Sequence, residues 1–152
     1  MKSYALCPIS DKTIDEYTVR IAAILTVLVI TAYLLTGILL LMLLLAIDFL
    51  LRAIPMAQYS PLALISRGLT QLLQVGKQPI NAGPKILAAR VGFIITALVV
   101  VTHELSWENA PLILAAILGL FSFLEGAFGL CVACKIYPWL YLAMYKSKFD
   151  SL

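Results

Sequence analysis

Residues 21–54 decide the fold, and they read IAAILTVLVITAYLLTGILLLMLLLAIDFLLRAI. The first 27 of these residues carry no charged side chain, and the apolar character continues beyond Asp48 to Ile54. About 20 apolar residues cross the hydrocarbon core of a bilayer as a helix. The stretch is therefore long enough for one long tilted crossing or for two short ones, and it is typical of an integral membrane protein.

The composition agrees with this interpretation. The chain has 152 residues, of which 62% are hydrophobic and 12% are charged, whereas soluble domains carry about 25% charged residues. The length predicts a single domain, residues 1–152. Residues 1–16 are polar and mixed in charge, so we expect no cleavable signal peptide and a first apolar segment that stays as an anchor.

The basic residues distinguish between one crossing and two. They flank the long apolar stretch on both sides, at Lys2, Lys12, Arg20, Arg52 and Arg67. A single crossing would place basic residues on both faces of the membrane, against the positive-inside bias. Two crossings return the chain to its starting face, and glycine at Thr36-Gly37 tolerates the tight turn that this requires. The sequence therefore predicts spans at roughly 14–35 and 38–54, the second ended by Pro55.

Two further apolar segments predict spans at roughly 86–105 and 110–134. With four crossings, all eleven Lys and Arg fall at one face, and both termini are expected in the cytoplasm. The two loops of the opposite face carry only His103, Glu104 and Glu108 as ionisable residues. We predict an all-α fold, an integral membrane four-helix bundle, whose partner is the lipid bilayer rather than nucleic acid.

The loop between the second and third spans is long for a compact bundle. Within residues 61–75, one helical stripe is apolar and the other is polar. The apolar stripe holds Leu62, Ile65, Leu69, Leu72 and Leu73, and the polar stripe holds Ser66, Arg67, Thr70, Gln71 and Gln74. This pattern predicts an amphipathic helix that lies in the cytoplasmic interface of the membrane.

The three cysteines are the first candidates for chemistry. Cys131 and Cys134 form a C-x-x-C, and Cys7 lies in the N-terminal tail. All three are expected at the cytoplasmic face, where structural disulfides are rare. On a helix, residues i and i+3 share a face, close enough for a reversible disulfide or two metal bonds, and Lys135 could lower a thiol pKa.

Three interpretations of the cysteines stay open. They could fill a helix interface as small apolar side chains, act as a redox dithiol, or bind a metal. The sequence has no second C-x-x-C and no histidine pair that would complete a metal site. We therefore assign no metal ligand and no cofactor. A quinone or a metal stays possible for a membrane dithiol protein. His103 lies on the opposite face, and we interpret it as a solvated loop residue.

Charged residues inside the apolar segments form the second candidate group. Asp48 and Arg52 are spaced i, i+4 on one helix and are predicted to pair, and Glu125 lies at a similar depth. Each such charge costs roughly 2.5–3.5 kcal/mol at the membrane centre, so we expect these side chains to face the bundle interior. One interpretation is an ion-pair network that ties the cytoplasmic helix ends together, with Arg20 and Arg90. The other makes Glu125 a proton acceptor or substrate contact near the dithiol.

The chain resembles an uncharacterised bacterial family of small membrane proteins, a domain of unknown function. The resembling residues are Cys7-Pro8, Asp48 with Arg52, Tyr59-Ser60-Pro61, and the segment 129–137, which ends in Cys-x-x-Cys-Lys-x-Tyr. The resemblance implies a four-helix domain in the bacterial inner membrane and an association with thioredoxin-like or sulfur-transfer proteins, but no established reaction. A looser analogy is to quinone-linked disulfide enzymes, whose reactive cysteines face the outside instead.

These observations lead to two hypotheses for function. In the first, Cys131 and Cys134 exchange electrons or sulfane sulfur with a cytosolic thiol partner, and Cys7 is the resolving or delivering thiol. In the alternative, the chain is a non-enzymatic membrane subunit or scaffold whose cysteines are structural or bind a metal.

Overall fold

The computed structural model describes residues 13–54, 56–81 and 83–129, together with residues 135, 139 and 143. The elements in chain order are β1 (Thr13–Asp15), α1 (Glu16–Thr36), α2 (Leu39–Ala53), a 3-10 turn (Ala57–Tyr59), α3 (Pro61–Leu72), β2 (Pro79–Asn81), α4 (Gly83–Glu104) and α5 (Ala110–Phe128). The described chain is mainly helical, as predicted, and it also contains one short two-stranded ribbon that the sequence did not predict.

Three of the five helices are long and apolar enough to cross a membrane, by length and composition: Glu16–Thr36, Lys85–Glu104 and Ala110–Phe128. Their outward surfaces are apolar as well, with Leu28 and Leu120 each more than half exposed. Since a soluble helix would bury such side chains, these surfaces indicate a membrane protein.

The predicted turn between the first two apolar helices is confirmed. Gly37 follows α1 with a φ of 68°, and its N–H donates to the carbonyl of Tyr33 at 2.7 Å. This left-handed conformation suits glycine, which has no Cβ to clash. α2 then packs beside α1, and its 15 residues make it shorter than the three helices of spanning length.

Two helix contacts are close at glycines. A Cβ on Gly126 of α5 would lie 2.9 Å from Ile24 Cγ1, and one on Gly92 of α4 would lie 2.7 Å from the Phe49 ring of α2. α1 therefore packs closely on α5, and α2 packs closely on α4. Small residues allow such approaches between membrane helices, whose association is driven by close packing rather than by water.

The helices meet at two ends, which are named here for reference. The proximal end holds the start of α1 and α4 and the end of α2 and α5. The distal end holds the turn at residues 37–38 and the loop at residues 105–109. Between them lies a core of buried side chains from α1, α2, α4 and α5: Ile30, Tyr33, Met42, Leu45, Phe49, Ala89, Val99, Ala115 and Leu118.

Helix α3 lies within the range predicted for the interfacial helix and packs against α1. Its buried residues are small or polar, namely Ala63, Ser66 and Thr70. The Thr70 hydroxyl lies 3.3 Å from the hydroxyl of Thr18 on α1. The large side chains on the other side, Leu64, Ile65, Leu72 and Leu73, are exposed.

The ends of the first and last spans differ from the predicted bounds. The first was expected from residue 14, but residues 13–15 pair antiparallel with 79–81, because the backbone of the loop before α4 returns alongside them. The last was expected to reach residue 134, but α5 ends at Phe128. Gly129 has a φ of 65° and donates to the Glu125 carbonyl, which terminates the helix.

Candidate functional site

The cysteines Cys7, Cys131 and Cys134 lie outside the described residues. The structure describes the residues that flank the C-x-x-C, namely α5 and Gly129 before it and Lys135 after it. Because α5 ends at Phe128, the motif begins beyond the end of that helix rather than on it. Lys135, the described residue that follows the motif, has an exposed side chain.

The guanidinium of Arg20 lies against Gly129. A Cβ on Gly129 would lie 2.9 Å from Arg20 Cζ, so a side chain at this position would displace the guanidinium. Arg20 also forms an ion pair with Glu16, one turn earlier on α1, with a nitrogen–oxygen distance of 2.7 Å. A cation at this point interacts favourably with the carbonyl end of α5. A positive charge therefore stands where the chain leaves α5, two residues before Cys131.

Asp48 is the most deeply buried ionisable residue among those that the structure describes. Its side chain has no exposed surface, and its Oδ2 lies 2.6 Å from Nη2 of Arg52. The predicted i, i+4 pair is thus confirmed. Oδ1 accepts hydrogen bonds from the Ser60 hydroxyl and, at 3.0 Å, from the backbone N–H of Leu62. Oδ1 is therefore hydrogen-bonded, and Oδ2 forms the ion pair with Arg52.

Ser60 joins this pair to helix α3. As the N-cap of α3 it accepts from the backbone N–H of Ala63 at 3.3 Å, and it also accepts from Arg52 Nε at 3.2 Å. Its own hydroxyl is donated to Asp48. A buried carboxylate at a helix N-terminus offsets the positive end of that helix. We call these three residues, Asp48, Arg52 and Ser60, the clamp, because they fix the start of α3 to α2.

No role of its own was predicted for Ser60 from the sequence. Its position before Pro61 could have predicted a helix N-cap, since serine followed by proline is a common start of a helix. Local spacing could identify the N-cap, but it could not show that the same hydroxyl contacts a carboxylate on another helix.

Glu125 pairs with Lys85 across α5 and α4, and both side chains are largely buried. Lys85 was not named in the expected ion-pair network, whereas Arg90, which was named in it together with Arg20, has an exposed side chain. The pair of Asp48 with Arg52 and the pair of Glu125 with Lys85 therefore both lie toward the proximal end of the helices.

His103 was interpreted as a solvated loop residue, and this interpretation is wrong. It lies in the last turn of α4, and its Nδ1 is 2.9 Å from the hydroxyl of Tyr33. Tyr33 is only 2% exposed, so its hydroxyl requires a partner inside the molecule. The contact joins the distal ends of α1 and α4.

Within the described residues, no group of three or more histidine, cysteine, aspartate and glutamate side chains could hold a metal ion. A metal site built from the cysteines lies outside those residues, so this interpretation of the C-x-x-C stays a prediction.

Comparison with known proteins extends the resemblance noted in the sequence. Neither a curated protein nor a solved structure matches the chain. A family model matches residues 14–141, which include all five helices, the clamp and the C-x-x-C. With most of its length matched, the chain belongs to the family described as Domain of unknown function (DUF4395).

Proposed function

We propose that the protein is a membrane dithiol protein, in which Cys131 and Cys134 exchange electrons or sulfane sulfur with a cytosolic thioredoxin-like or sulfur-transfer partner. The observation that carries the proposal is the Arg20 guanidinium beside Gly129, at the point where the chain leaves α5 for the C-x-x-C. A thiolate is the reactive form of cysteine, and neighbouring cations favour it.

The distance between this cation and the first cysteine is bounded by the chain itself. Consecutive Cα atoms are 3.8 Å apart, so the Cα of Cys131 lies at most about 7.6 Å from that of Gly129 in any conformation. The guanidinium packed on Gly129 is therefore a positive charge only two residues along the chain from Cys131.

Cys7 has the reach to serve as the third thiol. It precedes Thr13, where β1 begins, by six residues, and six extended residues span about 20 Å. β1 leads directly into the start of α1, and Arg20 lies only one helical turn beyond Glu16. The N-terminal tail and the C-x-x-C therefore leave the described chain at the same end of the α1–α5 pair.

The exchange can follow either of two balanced reactions. In electron transfer, a Cys131–Cys134 disulfide is reduced by the partner's dithiol, and two electrons and two protons move while the partner forms its own disulfide. In sulfur transfer, the Cys131 thiolate attacks the outer sulfur of a partner persulfide. The partner's sulfur–sulfur bond breaks, a new one forms on Cys131, and the partner leaves as a thiolate.

The same proposal places the chain in the bacterial inner membrane with four crossings and cytoplasmic termini. α2 adds the fourth crossing, because it folds back beside α1 and presents Leu40, Leu44 and Ile47 outward. α3 lies in the cytoplasmic interface, with its exposed leucines and isoleucine toward lipid. The position of Arg20, Arg52 and Lys85 at the proximal end supports this orientation.

Mild oxidation of the purified protein tests the proposal. We expect a disulfide between Cys131 and Cys134, identified by mass spectrometry, and its reduction by thioredoxin with its reductase and NADPH. Cys131→Ser and Cys134→Ser should each abolish that disulfide, while Cys7→Ser should leave it. Thiols that resist both alkylation and oxidation would refute the dithiol.

The second candidate is a non-enzymatic membrane subunit or scaffold. The clamp favours it, because Asp48 and Arg52 are engaged in holding α3 on α2 rather than left free for a substrate. In this case a bound metal would protect the cysteines until a chelator removed it, or buried cysteines would stay inert. Metal analysis before and after chelation, followed by thiol counting, distinguishes these outcomes from a dithiol.

A further inference from the structure

A pocket of about 360 Å³ opens at the distal end, away from the proposed dithiol. We call it the distal pocket and define it by six of its lining residues: Tyr33, Leu34, His103, Trp107, Glu108 and Leu112. They come from the end of α1, the end of α4, the following loop and the start of α5. Their separation in sequence means that the packed helices, rather than one local motif, form the pocket.

The floor of the distal pocket is ordered by hydrogen bonds. Tyr33 and His103 bond to each other at 2.9 Å. The backbone N–H of Trp107 donates to the Thr102 carbonyl at 3.2 Å, which holds the loop onto the end of α4. The indole of Trp107 remains 60% exposed at the rim. An exposed aromatic ring on an anchored loop is available to a ligand.

Among the acidic, lysine and arginine side chains, the distal pocket is lined only by an acidic one. Glu108 contributes a carboxylate, and no lysine or arginine occurs in residues 21–51 or 91–134, which include every residue that lines the pocket. Leu34 and Leu112 provide an apolar side. A carboxylate and aromatic side chains in one pocket, with no lysine or arginine in its lining, suit the recognition of an organic cation.

We infer that the distal pocket binds an organic ammonium ion that carries a short apolar group. The ammonium pairs with Glu108 and lies against the Trp107 ring, while its apolar part contacts Leu34 and Leu112. The same chemistry is offered by the amine of a lipid headgroup and by a free alkylamine. This inference is independent of the proposed dithiol, since none of the cysteines takes part.

The test uses n-butylammonium as the probe and Trp107 as the reporter. The chain has two tryptophans, so Trp139→Phe leaves Trp107 as the sole source of indole fluorescence. In maltoside micelles at low salt, we expect a saturable fluorescence change with n-butylammonium and a much weaker one with butan-1-ol. Equal affinity for the alcohol would overturn the inference, because the charge would then contribute nothing.

Two carboxylates of the same loop region form a matched pair of variants. Glu108 lines the distal pocket, whereas Glu104 ends α4 and does not. Glu108→Gln should raise the Kd by about two- to fivefold, the range of an exposed ion pair, and Glu104→Gln should leave it unchanged. If both variants weaken binding equally, the effect is general surface charge and the assigned site is wrong.

Thermal unfolding provides a second readout, because a ligand that binds the folded state raises the Tm. n-Butylammonium should raise the Tm of the parent protein and of Glu104→Gln more than that of Glu108→Gln. Added phosphatidylethanolamine identifies the source: competition with n-butylammonium indicates a lipid headgroup, and its absence indicates a free amine. No saturable binding of the probe in either assay would refute the site.

Discussion

Single residues in this protein show how charges are accommodated among apolar helices. A buried carboxylate is stable only when a counter-charge and hydrogen bonds replace its hydration. Asp48 has both, from Arg52, Ser60 and the start of α3. The clamp is therefore a structural unit whose parts depend on one another.

Replacing Asp48 by Asn should destabilise the protein, because Arg52 would be left buried without its counter-charge. Losses of about 3–5 kcal/mol are typical when one partner of a buried pair is removed. The double variant Asp48→Asn with Arg52→Gln should recover part of this loss. Denaturant unfolding in detergent measures both, and equal stabilities of single and double variants would contradict the clamp.

Gly129 is constrained by its own backbone and by Arg20. Gly129→Ala should cost at least 1–2 kcal/mol, roughly the penalty of a left-handed conformation for an L-residue, and should also displace the guanidinium. Gly68→Ala is the control, since a Cβ there meets nothing within 4 Å and the residue is helical. Unfolding measurements should find Gly68→Ala neutral or slightly stabilising.

At the scale of elements, α3 contacts α1 through small and hydroxyl side chains rather than through its leucines. In water its leucines would face the protein, but here the side with Ala63, Ser66 and Thr70 contacts α1. Small side chains allow the two helices to approach closely, and hydroxyl groups can form hydrogen bonds with one another. Lipid solvates large apolar side chains as well as a protein core does.

This orientation predicts a sharp contrast between two substitutions on α3. Ser66→Leu places a large side chain at a position with no exposed surface and should destabilise the protein by about 1–3 kcal/mol through overpacking. Gln71→Leu, on an exposed position, should have little effect on unfolding in detergent. A larger loss from Gln71→Leu than from Ser66→Leu would show that the opposite side of α3 contacts α1.

For the whole molecule, the arrangement of charges predicts the topology in the membrane. In a cysteine-free background, an introduced cysteine at Ser106→Cys should react with an impermeant maleimide added to intact cells. One at Ser147→Cys should react only after the cells are permeabilised. The reverse pattern at either position would contradict cytoplasmic termini and four crossings.

The sequence by itself determined the features that depend on neighbours along the chain. Long apolar segments fix the helices, Gly37 fixes the turn between α1 and α2, and the i, i+4 spacing fixes the pair of Asp48 with Arg52. Each follows from backbone geometry over one or two helical turns, so no knowledge of the remaining chain is required.

Only the tertiary structure decided which distant residues meet. Glu125 pairs with Lys85, Tyr33 contacts His103, and Ser60 donates to Asp48 of the predicted pair. These contacts span separations of 12–70 residues and depend on how each helix is rotated about its axis. Rotation is set by close packing at glycines and hydroxyls, because in lipid the hydrophobic pattern no longer dictates which side of a helix is buried.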